Sequence, residues 1–191
     1  LFTGTACTLN FDMTGLIAPY PQVSYRVDGY GPWNTVVLAA SVIIAMPADT
    51  AGMDGKPGHT LECYAKSMTT TQARWATQAS AVKLTGVLLD AGKTITAIPK
   101  APLALAMGDS ITAGYLTVTA AGSVDTNWTD ADLSWAREIG RLLGVKIGVI
   151  GFESQGFTHL GAPDVPVFIS TYNLLYAGVA RTFPAGLKFI V

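Results

Sequence analysis

Residues 103–115 read LALAMGDSITAGY and join a short apolar run to a turn that contains glycine. Leu103 to Met107 is continuously apolar, which is typical of a strand that is covered on both faces of a parallel sheet. Gly108 allows the backbone to turn sharply after this strand. The turn puts Ser110 just past the carboxyl end of the strand, where open α/β sheets bind ligands. The stretch therefore predicts an α/β domain with a candidate site at Ser110.

The rest of the region from 100 to 191 predicts two further strands of the same kind. Both are short apolar runs, over 145–150 and 187–191. A strand–helix–strand–helix–strand order indicates a right-handed parallel sheet. Three parallel strands would leave one apolar sheet edge bare, and we expect another segment to cover it.

Two helices are expected between these strands. The first is predicted to begin at a capping box of Thr129 and Asp132 and to end at Gly144. The second is expected over 165–180. Helical spacing assigns the following residues to the apolar face of the first helix: Trp135, Ile139, Leu142 and Leu143.

Residues 1–99 predict an all-β module instead. Apolar and polar residues alternate in short stretches, and clusters of glycine and proline separate them. Short strands at this spacing, without a long helical pattern, are typical of a β-sandwich such as a jelly roll. The expected strands cover 7–11, 23–27, 36–46, 61–66 and 82–89. With a linker over 99–102, the sequence predicts two domains, 1–99 and 100–191.

Composition excludes several classes of protein. Half of the 191 residues are hydrophobic and 13% are charged, which suits a packed core rather than a disordered chain. The 12 basic and 13 acidic residues give a net charge of -1 and form no basic run, so a nucleic-acid partner is not expected. The longest apolar run, 36–46, is far below the roughly 20 residues that a membrane-spanning helix needs. No phosphate-binding glycine motif occurs, and we expect neither a metal nor an organic cofactor.

The cysteine and histidine residues are few. Cys7 and Cys63 fit either two small core side chains or a disulfide, and the sequence leaves both interpretations open. His59, beside a glycine-proline turn, is expected at the surface. His159 is expected in an exposed loop.

The turn after the first buried strand is a candidate site of nucleophilic catalysis. Ser110 is a candidate nucleophile, and its own N–H is a candidate donor to an oxyanion. Asp109 is expected to hydrogen-bond the turn and orient it. The alternative is that the Asp-Ser pair only caps the next helix.

Gly108–Tyr115, GDSITAGY, closely resembles the first block of the SGNH (GDSL-type) hydrolases. The resemblance implies a flavodoxin-like α/β domain in which Ser110 is the nucleophile. It also implies an oxyanion hole made by the serine N–H, a glycine N–H of the second block and an asparagine side chain of the third block. A later Asp-x-x-His pair supplies the base in that family.

The stretch 149–157, VIGFESQGF, is similar to the second block of that family, Asn-x-Gly-x-Ser-Gly. Val149 stands where the family has its asparagine. Without a gap, Ser154 stands at the oxyanion glycine, and a shifted register would put Gly156 there instead. The sequence contains no Asp-x-x-His. The resemblance therefore covers the first half of the hydrolase domain, and the base is expected from a C-terminal segment or a second chain. Because the chain begins at Leu1, we expect a processed product or a fragment.

A β-module placed before such a domain is similar to the two-domain carbohydrate esterases that deacetylate xylan and related polysaccharides. The similar stretches are 23–29, 59–62 and 72–75. This resemblance implies an acylated carbohydrate as substrate and a secreted or periplasmic protein. Trp33, Tyr64 and Trp75 are candidates either for stacking on sugar rings or for core packing.

Three functional hypotheses remain open at this point. The first is a serine esterase that removes acyl groups, acetyl above all, from carbohydrate. The second is a carbohydrate-binding or structural component that keeps the fold without the base. The third is a hydrolase of lipid or other small esters.

Overall fold

A computed structural model of the chain describes residues 3–29, 31–46, 58–95, 103–118, 125–183 and 185–191. The chain divides into two compact units. The first comprises Leu1–Thr14, Pro21–Ala65 and Val82–Pro99, and the second comprises Gly15–Tyr20, Lys66–Ala81 and Lys100–Val191. The second unit thus includes two stretches from the region predicted as the β-module. The predicted linker over 99–102 lies outside the described residues.

The first unit contains two three-stranded sheets. In one sheet, β1 (Ala6–Phe11) pairs antiparallel with both neighbours, in the order β4-β1-β6. The other sheet has the order β3-β2-β5. The remaining strands are β2 (Gln22–Val27), β3 (Asn34–Val37), β4 (Ser41–Ala45), β5 (Leu61–Ser67) and β6 (Leu84–Leu89). The alternation predicted for β1 is confirmed, since Cys7, Leu9 and Phe11 are buried. The jelly-roll connectivity stays a prediction.

The single strand predicted over 36–46 is wrong. The run contains β3 and β4, which belong to different sheets. Between them Leu38 is buried, and its N–H donates to Pro21 O at 2.8 Å. Much of this run is exposed, with Val37 at 56% and Ile43 at 72%. An apolar run does not by itself show where one strand ends and the next begins.

The two cysteines of the first unit are free thiols, Cys7 buried and Cys63 exposed. Burial, with a smaller contribution from Cys63, raises the pKa of the Cys7 thiol. The surface position predicted for His59 is wrong, because its side chain is 1% exposed and its Nδ1 lies 2.8 Å from Asp28 Oδ2. Asp28 also accepts the N–H of Thr60 at 2.8 Å. A polar side chain is tolerated in a core when a neighbour satisfies it, and the local pattern around residue 59 gives no sign of that neighbour.

The second unit confirms the predicted α/β class. Its three-stranded sheet has the order β11-β7-β8, and β7 runs parallel to both neighbours. The elements are β7 (Leu103–Gly108), α1 (Ser110–Ala113), α2 (Trp135–Leu143), β8 (Lys146–Gly151), β9 (Leu174–Tyr176), β10 (Val179–Ala180) and β11 (Leu187–Ile190). All three predicted strands of the parallel sheet are therefore present.

Small residues let α2 lie close to the sheet. Ala104, Ala106 and Ala136 are at most 1% exposed and form a core with Ile147. A Cβ on Gly140 would lie 2.8 Å from Val145 O, so a larger residue would push the helix away. The predicted apolar face of α2 is accordingly wrong, because Ala136 and Gly140 face the sheet. The other side keeps apolar groups at the surface: Trp135 37%, Ile139 36%, Leu142 78% and Leu143 59% exposed.

The predicted capping box is also wrong. Ser134 is the N-cap of α2, and its side chain accepts the N–H of Arg137 at 3.4 Å. Asp132 lies in the preceding 3-10 turn, where its buried carboxylate accepts hydrogen bonds from Arg137 and Arg141. The predicted end at Gly144 is confirmed, and this residue has a left-handed φ of +64°.

The helix predicted over 165–180 is wrong. Residues Phe168–Ser170 form one 3-10 turn, and β9 and β10 form an antiparallel hairpin. Gly178, with a φ of +73°, makes the hairpin turn. Thr171 Oγ1 donates to Phe168 O at 3.2 Å, a local bond that competes with continuing the helix.

Within the described residues, no helix is long and apolar enough to cross a membrane. The same residues contain no group of three His, Cys, Asp or Glu side chains that could hold a metal ion.

We predict that Asp132→Asn lowers the free energy of unfolding by about 1–3 kcal/mol, because two guanidinium groups lose a buried carboxylate. The matched control is Glu138→Gln, whose carboxylate also pairs with Arg141 but is 60% exposed. That change should cost less than about 0.5 kcal/mol. Equal losses in urea unfolding of the two variants would contradict the assignment.

Candidate active site

The turn after β7 presents Ser110 as the first residue of α1. Asp109 is the N-cap, and its side chain accepts the N–H of Ile111 at 2.9 Å. This bond is the helix cap of the alternative interpretation, and the orienting role of Asp109 stays a prediction. A Cβ on Gly108 would lie 2.3 Å from Thr112 Oγ1, so the turn accepts only glycine at that position.

The loop after β8 packs directly against this turn. A Cβ on Gly151 would lie 2.6 Å from Asp109 O and 2.9 Å from Ala113 N. The N–H of Phe152 donates to Gly108 O at 3.3 Å. The carboxyl ends of the two parallel strands thus bring together the two stretches that the sequence singles out.

Ser154 adopts the backbone conformation that glycine favours. Its φ is +58°, in the left-handed region that side chains with a Cβ disfavour. Among the described residues, no hydrogen-bond acceptor is found for its backbone N–H. Ser154 thus has a backbone conformation typical of glycine, and its backbone N–H is available to donate a hydrogen bond.

Gly156, the alternative donor, is already engaged. Its N–H donates to His159 O at 3.0 Å, and its carbonyl accepts the N–H of Phe168 at 2.9 Å. Its φ lies outside the left-handed region. Of the two N–H groups left open by the sequence, that of Ser154 is the one without an acceptor among the described residues.

His159 lies on the same loop but is directed to the backbone, in the exposed position that the sequence predicts. Its Nδ1 lies 3.0 Å from Ser154 O and 2.8 Å from Leu160 O. Since both partners are acceptors, Nδ1 carries the hydrogen and donates. In the part of the chain that the structure describes, no histidine forms a hydrogen bond with Ser110.

A cavity of about 500 Å³ is lined in part by Gly108 and Asp109, the two residues that precede Ser110. Its walls are largely apolar, and Phe157 and Phe168 meet edge to face there at 5.5 Å between ring centroids. The polar groups on its wall include Asp109 and Gln155. Such a surface can receive an apolar group.

The three aromatic residues singled out by the sequence occupy different environments. Trp75 is 6% exposed and packs on Phe152, which excludes it as a sugar platform. Trp33 and Tyr64 are half-buried in the first unit and meet edge to face at 4.8 Å. The guanidinium of Arg26 lies 4.6 Å from the Trp33 ring centroid and pairs with Glu62.

Sequence reasoning missed the support of the second loop. Arg74 contacts this loop, and Asp164 accepts backbone N–H groups from residues 74–76. The only signal was the similarity of 72–75 to the two-domain esterases, which assigns these residues no role.

Comparison with solved structures identifies the fold. A carbohydrate esterase family 2 enzyme with a carbohydrate binding domain, from Corynascus thermopiles (Myceliophthora fergusii), superposes with a TM-score of 0.70 at 23% identity, over 97% of this chain and 54% of that one. The chain has the fold of the family 2 carbohydrate esterases. A family two carbohydrate esterase from Clostridium thermocellum, in complex with cellohexaose, gives 0.65 at 21% identity, over 94% and 52%. An acetyl xylan esterase from the rumen bacterium Butyrivibrio proteoclasticus gives 0.61 at 16% identity, over 91% and 44%.

The chain spans about half the length of these carbohydrate esterases. The matching structures are carbohydrate esterases, the class that the resemblance of the two-domain arrangement implied. No family model matches the chain, and no curated protein sequence matches it.

We predict that Ser154→Gly leaves the free energy of unfolding unchanged or raises it, because glycine adopts a positive φ without strain. The control is Ser170→Gly, in a 3-10 turn with a negative φ, which should lose about 0.5–1 kcal/mol. Urea unfolding measures both. A loss for Ser154→Gly as large as that for Ser170→Gly would contradict the left-handed assignment.

Proposed function

We propose that this chain carries the nucleophile of an SGNH-type serine esterase that removes acyl groups, acetyl above all, from carbohydrate. The observation that carries the proposal is the position of Ser110, which begins α1 directly after β7, in a turn against which the end of β8 packs. We propose that its Oγ and two backbone N–H groups, its own and that of Ser154, act on one substrate.

The proposed reaction is acyl transfer through a covalent intermediate. Ser110 Oγ attacks the ester carbonyl carbon while a base takes its proton. The N–H groups of Ser110 and Ser154 stabilise the negative charge that develops on the carbonyl oxygen. The base returns the proton to the sugar oxygen, which leaves as a hydroxyl. Water then hydrolyses the acyl-serine and releases the carboxylic acid. Asp109 holds the turn through its bond to Ile111 N–H.

The base is proposed to come from a C-terminal segment or a second chain. No histidine of the described residues bonds Ser110, and His159 Nδ1 is committed to two carbonyl groups. The sheet leaves room for such a segment beside β11, which pairs only with β7 among the described strands. Ile190 and Val191 are 51% and 56% exposed at this edge, where a further strand would bury them.

An acylated polysaccharide outside the cell membrane is the proposed substrate. The matching structures include an acetyl xylan esterase and an esterase in complex with cellohexaose. The largely apolar cavity lined in part by Gly108 and Asp109 suits an acyl group, and a polysaccharide must be hydrolysed where it occurs. A secreted or periplasmic protein follows from this proposal.

A non-catalytic carbohydrate-binding component is the second candidate function. The absence of a base near Ser110 in the described residues favours it, as does the Trp33–Tyr64 pair. Half-buried rings beside a paired Arg26 and Glu62 offer both an apolar face and hydrogen-bonding groups to a sugar.

We predict that Ser110→Ala lowers the hydrolysis of p-nitrophenyl acetate and acetylated xylan at least about 1,000-fold, since the nucleophile is removed. The assay uses the protein as its organism makes it. Ser170→Ala, a serine remote from the turn in sequence, is the control and should keep full activity. Absence of Ser110-dependent hydrolysis, with glycan binding that Trp33→Ala removes, would favour the second candidate.

Chain-length preference separates a carbohydrate deacetylase from a lipid-ester hydrolase. We predict that kcat/KM falls from p-nitrophenyl acetate to the butyrate and octanoate, because a site that is selective for acetyl groups gains no binding energy from a longer acyl chain. The cavity of about 500 Å³ is large enough for longer acyl chains, so its volume also fits a lipid-ester hydrolase. A rising series would contradict the carbohydrate proposal.

A further inference from the structure

A segment far upstream in the sequence reaches the loop that contains Ser154. The Arg74 side chain is 8% exposed, and its guanidinium donates to Ala162 O at 3.1 Å. The same group lies 3.8 Å from the carboxylate of Glu153 and 5.5 Å from the ring centroid of Phe152. Arg74 therefore contacts Phe152 and Glu153, which precede Ser154, and also Ala162 further along the same loop.

A single carboxylate fixes the backbone that carries Arg74. Asp164 accepts the N–H groups of Arg74 at 3.1 Å, Trp75 at 3.3 Å and Ala76 at 2.8 Å. Hydrogen bonds from neutral donors to a carboxylate are stronger than those between neutral groups. The 74–76 segment and the loop after β8 are thus held together by two sets of contacts. The Arg74 side chain bonds the loop, and the Asp164 side chain of the loop bonds the backbone of the segment.

The neighbours of Ser154 are held by the same part of the loop. Glu153 O accepts the N–H of Ala162 at 2.8 Å. Gln155 Nε2 donates to Pro166 O at 2.7 Å and to Thr171 Oγ1 at 2.9 Å. Ser154 sits between these anchors with a φ of +58°, a conformation that serine leaves readily when nothing enforces it.

We infer that Arg74 and Asp164 are positioning residues that keep the backbone N–H of Ser154 aimed at the oxyanion. The inference rests on the proposed function of Ser110 and Ser154. We call the pair Arg74 and Asp164 the clamp. Without the clamp, Ser154 relaxes toward negative φ and its N–H turns away from the carbonyl oxygen. The donor acts on charge that develops only in the transition state, so its loss lowers kcat and leaves KM nearly unchanged.

The test introduces Arg74→Met and Asp164→Asn into the full-length protein that the organism makes. Each change is made alone and in combination with Ser154→Gly. Asp90→Asn is the matched control, because Asp90 also accepts backbone N–H groups, from Thr5 at 2.6 Å and Ala6 at 3.2 Å, in the first unit. Two quantities are measured: kcat and KM on p-nitrophenyl acetate per folded protein, and amide hydrogen exchange at Ala162 and Gly156.

We expect both clamp variants to lower kcat about 10–100-fold with KM within about twofold, a loss of the size seen when an oxyanion donor is removed. Exchange at Ala162 should rise at least about tenfold. Adding Ser154→Gly should raise kcat about tenfold above that of the clamp variant alone, since glycine adopts the left-handed conformation unaided. Asp90→Asn should change neither quantity. If Arg74→Met fails to fold, the nearly isosteric Asp164→Asn decides.

The outcomes distinguish the inference from the function on which it rests. Hydrolysis that survives Ser110→Ala overturns the proposed function, while the exchange data still test the clamp. Unchanged exchange at Ala162 overturns the clamp itself. Faster exchange with unchanged Ser110-dependent kcat, or a kcat loss that Ser154→Gly does not relieve, overturns the positioning role.

Discussion

The close approach of Gly151 to the turn that carries Ser110 is the contact on which the candidate site depends. Any side chain at position 151 would meet Asp109 O within 2.6 Å, so only glycine allows the ends of β7 and β8 to come this close. Because the two strands are parallel neighbours, their carboxyl ends lie at one edge of the sheet. The turn that carries Ser110 and the loop that carries Ser154 therefore start from the same edge of the sheet.

Small residues maintain that arrangement beneath the site. Ala104, Ala106 and Ala136 bring α2 down onto the sheet, and Gly140 lets its backbone reach β8. The loop after β8 is less constrained by the sheet, and the 66–81 segment supplies its support through Arg74 and Asp164. The site therefore draws on three separate stretches of chain.

The local sequence was enough to predict some parts of this structure and not others. β7, β8 and β11 were predictable, because buried parallel strands are short apolar runs, and Ser110 was found through a motif that follows such a run. The face of α2 was not, because a periodic apolar stripe does not reveal that the sheet opposite demands small residues. The helix predicted over 165–180 was wrong for a related reason, because a hairpin and a 3-10 turn can have the same spacing of apolar residues as a helix. The contact of Arg74 with the loop is long-range and leaves no local pattern.

Labelling of the nucleophile tests the central claim most directly. The protein as its organism makes it is treated with a fluorophosphonate, digested, and mapped by mass spectrometry. The account predicts one phosphonate per chain, attached to Ser110, in proportion to the acetyl esterase activity lost. An esterase that is inactivated with the label on another residue, or that keeps its activity while Ser110 carries the label, would contradict it.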